Sequence, residues 1–387
     1  MIVTSSLDIE RLLASRVCDI ETSGIRRAWA LAASCVDPIN LSIGQPDFPV
    51  PDAMKAAAID AIKGDSNGYT QTNGDPDLCQ TIEQQFAAEF SWSFGEDSTT
   101  KTMVTSGTAG ALTLVFLAIL SPGDEVIVPD PYFVIYPTLA RIAEARAVLC
   151  DTYPDFRMTA ARIEPLITSK TKAVLLNSPG NPTGAVLPAD EVKAIVQLCK
   201  ERNILLIADE IYDEFIFPPT QHASPASYSQ DALIIRGYSK TYGCTGWRLG
   251  YAVGPARLID EMSKLQQQTF VCAPAPFQKA AVTAPNVELK QMIARFTARR
   301  DMVVEMLQDV TELTIPNGAF YAFPKIPESL RLTGTEFIEQ AIAKDVLVIQ
   351  GNVFSNRDTH FRISYAVQED RLERGLSILK SLLSART

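Results

Sequence analysis

The sequence predicts an α/β fold: a large, mostly parallel β-sheet covered by helices, with a smaller α+β domain attached. Three observations carry that prediction. Between about residues 100 and 255, short apolar runs alternate with stretches of helical periodicity, the pattern of strands joined by covering helices. The runs are apolar at successive positions rather than at every second one, as strands buried on both faces must be. Beyond about residue 285 the regular alternation stops, so the remaining segments form a unit of different organisation. A length of 387 residues and an apolar content of 47% suffice for a sizeable core in such a two-domain arrangement.

Each element has a local reason. Asp75 and Pro76 read as an N-cap and first-turn pair, and Leu78, Ile82, Phe86 and Phe90 recur every fourth residue after them, giving an amphipathic helix. The longest apolar run, 109–120, falls short of the roughly 20 residues a bilayer requires and stops at Ser121-Pro122-Gly123, so it reads as a buried helix. Residues 125–128, 172–176, 204–208, 232–236 and 249–253 are the candidate parallel strands. Between two of them, Pro188 opens a helix to Arg202 that places Val192, Ile195, Val196 and Cys199 on the side facing the sheet. Further on, a long helical pattern over 287–308 leads to strand-like segments at 319–323, 346–349 and 360–365. These assignments divide the chain into an N-terminal arm, 1–40, that also contributes to the small domain, a large domain over 41–284 and a small C-terminal domain over 285–387.

Composition narrows the function. A formal charge of -10 and the absence of a basic run argue against a grip on nucleic acid, whose phosphates need clustered lysine and arginine. Seven cysteines, odd in number and without metal-type spacing, read as reduced thiols of a cytoplasmic protein rather than a disulfide framework. Only His222 and His360 are available for a histidine metal site or a serine–histidine relay, so no metal is expected. Asp8, Glu10 and Arg11 interrupt the start of the chain where a secretory signal would need an apolar run, and no stretch is expected to enter a membrane.

Ligands of open parallel sheets bind beyond the carboxyl ends of the strands, so polar residues just after apolar runs are the places to look. Asn177, Asp209 and the Ser239-Lys240 pair stand there. A lysine attacks a carbonyl only as the neutral amine, which requires desolvation or a neighbouring cation. Lys240 lies among small residues, with Gly243, Gly246 and Gly250 leaving room for a ligand, and Arg248 eight positions later offers a fork of donors suited to phosphate. Residues 106–111, small and containing Gly107 and Gly110, precede the buried helix and can present free amides and the positive helix end to an anion. Near the C-terminus, period-two alternation puts Phe361, Ile363 and Tyr365 on one face and Arg362 and Ser364 on the other; an arginine so placed suits a carboxylate held through two parallel hydrogen bonds. Each feature has a plainer reading as well: a surface lysine in a turn, an aspartate helix cap, a tight strand-to-helix turn, a structural ion pair.

Together the segments resemble the landmarks of class I and II aminotransferases, aspartate aminotransferase-like members of the fold type I pyridoxal-phosphate family. The resemblance rests on residues 238–251 around Lys240, Leu-Ser-Ile-Gly-Gln-Pro-Asp-Phe at 41–48, Asn-Ser-Pro-Gly-Asn-Pro-Thr-Gly at 177–184, Ala-Asp-Glu-Ile-Tyr at 208–212 and Phe-Arg-Ile-Ser-Tyr-Ala at 361–366. It covers nearly the whole chain and implies a seven-stranded, mostly parallel sheet sandwiched by helices in the large domain. It also implies pyridoxal 5'-phosphate held by Lys240 as an internal aldimine. By the same resemblance Asp209 faces the pyridine nitrogen, Tyr212 and Asn181 share the ring oxygen, Phe133 stacks on the ring, and Gly107, Thr108, Ala109 and Arg248 hold the phosphate. Lys240, Asp209 and Tyr212 are the catalytic candidates. Arg362 takes the substrate α-carboxylate, Gly44 lies beside it, and Asn181 touches substrate as well. Tyr69 is expected to reach the phosphate site of a neighbouring subunit, implying a homodimer. One position departs from the pattern: Gly237 stands where many relatives have a serine that donates to the phosphate.

The expected reaction moves an amino group between an L-amino acid and a 2-oxo acid by ping-pong kinetics, with aspartate or a broader range of amino acids as donor. A β-lyase or cyclase shares the chemistry up to the carbanion, and a non-catalytic cofactor-binding regulator shares the fold; both stand as alternatives. A dicarboxylate substrate would need a second cation, for which Arg16, Arg26 and Arg27 are candidates.

Overall fold

The computed structural model describes residues 7–18, 20 and 37–385 of the chain, so most of the N-terminal arm, with Arg26 and Arg27, lies outside the described residues. A seven-stranded sheet forms the centre. Its strands are β2 (Thr100–Thr105), β3 (Glu125–Asp130), β4 (Arg146–Asp151), β5 (Thr171–Asn177), β6 (Leu205–Asp209), β7 (Leu233–Gly237) and β8 (Gly250–Pro255), in the order β2-β8-β7-β6-β5-β3-β4. The pairs among β3, β4, β5, β6 and β7 are parallel, whereas β8 runs antiparallel to both β2 and β7. The expectation that 249–253 is a parallel strand is thus corrected. A run apolar on both faces signals burial between two helical layers and is silent on direction, and the short turn from Lys240 to Arg248 brings the chain straight back beside β7.

The covering helices follow local signals. Asp75 caps Pro76–Phe90 by accepting from the Asp77 amide at 3.1 Å, and Leu78, Ile82 and Phe86 are fully buried. Gly107–Ile119 packs as the buried helix. Ala189–Arg202 buries Val192, Ile195, Val196 and Cys199, with Pro188 at the cap rather than inside the first turn. One hydrophobic cluster, containing Phe86, Val174, Leu206 and Ile234, fills one face of the sheet, and another, containing Leu112, Val126, Leu175 and Ile235, fills the other.

A separate apolar core unites the C-terminal elements with the return of the N-terminal segment. The helix Lys290–Leu307 contributes Phe296 and Val303, and the helix Glu369–Leu383 contributes Leu372, Leu376 and Leu379. Ile39 and Leu41 join them, as do Tyr212, Phe215 and Phe217 from the segment after β6. The segment 346–349, read as one strand, divides between two sheets. Val346–Leu347 (β10) pairs in parallel with Ile39–Asn40 (β1), while Ile349–Gln350 (β11) pairs antiparallel with Phe361–Ser364 (β12), whose other neighbour is Tyr321–Ala322 (β9). Both halves are apolar, and only their distant partners decide the division. Among the described residues no helix is long and apolar enough to cross a membrane, and the six described cysteines are free thiols.

Candidate active site

The parallel register sets Asn177 opposite Asp209 at the carboxyl ends of β5 and β6, and β7 leads at once into the turn Tyr238–Thr241 that carries Lys240. The three features picked out by their position after apolar runs therefore meet at one cavity of about 260 Å³. Its lining includes Gly44, Thr108, Ala109, Phe133, Asn181, Tyr212, Arg248 and Arg362 as well.

At one end the first turn of Gly107–Ile119 meets Arg248. Gly107 opens its helix at φ 70°, in the left-handed region, and a Cβ there would stand 2.6 Å from Arg248 Nη2, so glycine allows both the turn and the approach of the guanidinium. Arg248 donates through Nη1 to the Thr245 carbonyl at 3.1 Å, and it makes no ion pair with another described residue. The helix end, its amides and an uncompensated cation converge on one place. Gly237, extended rather than strained, answers the departure noted in the sequence. A Cβ on it would press against Ile211 Cδ1 at 3.0 Å and Thr108 Cγ2 at 3.1 Å, so the Thr108 methyl occupies the room a side chain would need.

Asp209 is buried, and one carboxylate oxygen accepts from Tyr136 Oη at 2.7 Å. Burial pushes its carboxyl up to about 6, while the Tyr136 hydroxyl and the Ile211 amide hold it down. Asn177 ties the same strand end together, donating to the Asp209 carbonyl at 3.0 Å and accepting from the Asn181 amide at 2.9 Å.

Lys240 Nζ donates to the Gly44 carbonyl at 2.6 Å. Burial is the main force lowering its amine to about 8, and the cations Arg362 and Arg248 act the same way against the opposing pull of Asp209. Both conditions anticipated for a carbonyl-reactive lysine are present. Arg362 is 1% exposed, yet it makes no ion pair with a carboxylate among the described residues. It donates to Asn181 Oδ1 at 3.0 Å and to the Ser42 carbonyl at 2.7 Å, and its Nε has no partner. Burial without a counter-ion lowers its pKa from the ordinary arginine value. A guanidinium so desolvated is costly unless an anion arrives, and the plainer reading of Arg362 as half of a structural ion pair has no partner to support it.

Tyr69 stands apart. It is 84% exposed on a loop beside Thr70 and Gln71 and lines no part of the cavity within one chain. Arg16 forms a surface pair with Glu144 at 3.4 Å and does not line the cavity either. Two lining tyrosines escaped the sequence reading, Tyr136 and Tyr321. Tyr136 sits three positions after Phe133, a helical spacing that could have drawn attention to it; Tyr321 lies in a two-residue strand 109 positions from its partner Tyr212 and carries no local signal.

Comparison with known proteins agrees with this geometry. The profile of the family described as aminotransferase class I and II matches residues 36–379. A probable aspartate aminotransferase of Methanocaldococcus jannaschii is 33% identical over 96% of this chain and 100% of its own length. A probable N-acetyl-LL-diaminopimelate aminotransferase of Bacillus subtilis is 36% identical over 96% of each chain. Among solved structures, the aspartate aminotransferase of Thermus thermophilus with maleate superposes with a TM-score of 0.90 at 32% identity, covering 96% of this chain and 99% of that one. The chain therefore belongs to the class I and II aminotransferases, and it is an aminotransferase.

Proposed function

We propose that the chain uses pyridoxal 5'-phosphate to move an amino group from an L-amino acid to a 2-oxo acid, with Lys240 as the residue that carries the cofactor and handles the proton. The observation that carries this reading is one cavity holding a desolvated amine, a buried carboxylate and a buried arginine without an anion. The residues fit the group. Gly107, Thr108, Ala109 and Arg248 form a cradle for its phosphate, Phe133 offers a ring face, Asp209 suits a protonated ring nitrogen, and Tyr212 and Asn181 supply donors for a ring oxygen. When bound, the pyridoxal ring supplies an electron sink for the electrons released at the substrate α-carbon.

The chain's own residues do the rest. The guanidinium of Arg362, steadied by Asn181 and the Ser42 carbonyl but without an anion, takes the substrate α-carboxylate and so orients the α-carbon. Lys240, whose burial lowers its amine to about 8 and so brings the neutral form within reach, accepts the proton from that carbon and returns it. The carbonyl of Gly44 beside Lys240 marks the substrate side of the cavity. Names of relatives make aspartate the first donor to test.

Exposure of Tyr69, together with Phe270 at 43% exposure, supports a homodimer in which Tyr69 completes the neighbouring site. The separate C-terminal core supports a large domain over 41–284 and a small one over 285–387 completed by the residues before 41, and the free thiols support a cytoplasmic location. The test is a half-reaction screen: each amino acid is added alone to the loaded enzyme, and the cofactor's visible absorbance is followed. At least one L-amino acid should convert it to the amino form with release of its 2-oxo acid; failure of every one, or release of ammonia without an acceptor, would overturn the reading.

A further inference from the structure

Tyr321 is 1% exposed and Tyr212 is 2% exposed, and their hydroxyl oxygens stand 2.9 Å apart. The strand Tyr321–Ala322 is held against the strand of Arg362, with Tyr321 paired to Ser364. Its ring lies under the Arg362 guanidinium at 4.5 Å and meets the Tyr212 ring edge-on at 5.7 Å. On the other side is Gly44, where a Cβ would come within 2.5 Å of Tyr321 Oη, so only glycine leaves room for the hydroxyl. Tyr321 Oη is thus close to both Gly44 and Tyr212, and its one hydrogen-bond partner among the described residues is the Tyr212 hydroxyl. Burial raises both phenols above their ordinary range, so each keeps its single proton at working pH.

Two hydroxyls with one proton each leave two arrangements. Either Tyr212 donates to Tyr321 and has nothing left for the cavity, or Tyr321 donates to Tyr212 and frees the Tyr212 proton for another acceptor. We infer that Tyr321 is a positioning residue for Tyr212: its hydroxyl donates to the Tyr212 oxygen and so commits the Tyr212 proton to the acceptor in the cavity. This rests on the reading above, in which that acceptor is the cofactor's ring oxygen. A donated hydrogen bond also polarises the phenol that receives it, which makes Tyr212 the stronger donor.

The experiment titrates the visible absorbance of the loaded enzyme with pH and measures cofactor affinity by equilibrium dialysis, in wild type, Tyr321→Phe, Tyr212→Phe and the double variant. Phenylalanine keeps the ring under Arg362, and an unchanged unfolding midpoint of the cofactor-free Tyr321→Phe protein verifies the fold. Loss of one neutral hydrogen bond should weaken the stabilisation of an anionic ring oxygen and raise the absorbance midpoint of Tyr321→Phe by about 0.5 pH unit, roughly threefold in proton affinity. Tyr212→Phe should raise it further, and adding Tyr321→Phe to that variant should change nothing more. An unmoved midpoint in Tyr321→Phe beside a raised one in Tyr212→Phe overturns this inference alone. Equal shifts with and without Tyr212 show that Tyr321 acts by another route and also overturn it. An unmoved midpoint in Tyr212→Phe overturns both this inference and the ring-oxygen role on which it rests.

Discussion

Replacing Lys240 by methionine keeps an unbranched side chain only one atom shorter and removes its charge, and the cavity dictates what that does to the cofactor-free protein. Burial, with help from Arg362 and Arg248, lowers the amine from 10.5 to about 8. At about 1.4 kcal/mol per pH unit the difference amounts to about 3 kcal/mol of destabilisation near neutral pH, and water in the open mouth of this half-buried site reduces the expected figure to about 2. The sign follows from proton binding. Below about 8 folded and unfolded chains both hold the proton, and the folded chain carries the full cost of a buried cation. Between about 8 and 10.5 the unfolded chain binds more protons, so stability contributed by this group rises with pH; above 10.5 the cost is gone. Methionine leaves the Gly44 carbonyl without its donor, a loss of about 1 kcal/mol that is the same at every pH. Urea unfolding of wild type and Lys240→Met near pH 7 and near pH 10 therefore isolates the amine. Wild type should gain about 2 kcal/mol on the variant between the two conditions. A stability gap that stays constant with pH would refute the claim that Lys240 is desolvated. The same desolvation makes capture of the cofactor by wild type accelerate with a midpoint near pH 8, and the variant should not be trapped by borohydride at all.

Other consequences are independent of that one. Arg362→Gln should raise KM for the amino donor by roughly 30-fold or more, the loss expected when one partner of a buried charged contact is removed; an unchanged KM in initial-rate assays would exclude a carboxylate at this site. Tyr136→Phe takes away a hydrogen bond that holds the Asp209 carboxyl down, so the acid limb of the kcat/KM profile should move upward by about one pH unit, and a limb that stays in place would separate Tyr136 from Asp209. In Gly107→Ala the new Cβ meets Arg248 Nη2 in a left-handed backbone, so cofactor affinity should fall about tenfold, read by fluorescence titration of the cofactor-free protein; unchanged affinity would remove the cradle assigned to the phosphate.

Legibility followed the range of the physical signal. The cap at Asp75, the apolar spacing of Leu78, Ile82 and Phe86, and the alternation around Arg362 are all read within one or two turns of chain, and all stand in the structure. The placement of Asn177, Asp209 and Lys240 was legible because strand ends of a parallel sheet gather on one side whatever the loops do. Other features had no local signature. The direction of β8, the division of 346–350 between two sheets and the filling of the space beside Gly237 by the Thr108 methyl depend on residues far away in the chain.

By itself, then, the sequence determined which segments are buried, where polar groups interrupt them and which side-chain types stand there, since hydrophobic periodicity and side-chain type are properties of neighbours. Tertiary structure alone decided the protonation and pairing of those groups. Lys240 is lowered by the convergence of its burial with Arg362 and Arg248, Asp209 is steadied by Tyr136, and Tyr212 faces Tyr321 across 109 positions of sequence. Electrostatic fields and hydrogen bonds act through a few ångströms of space, and only the fold specifies which residues share that space.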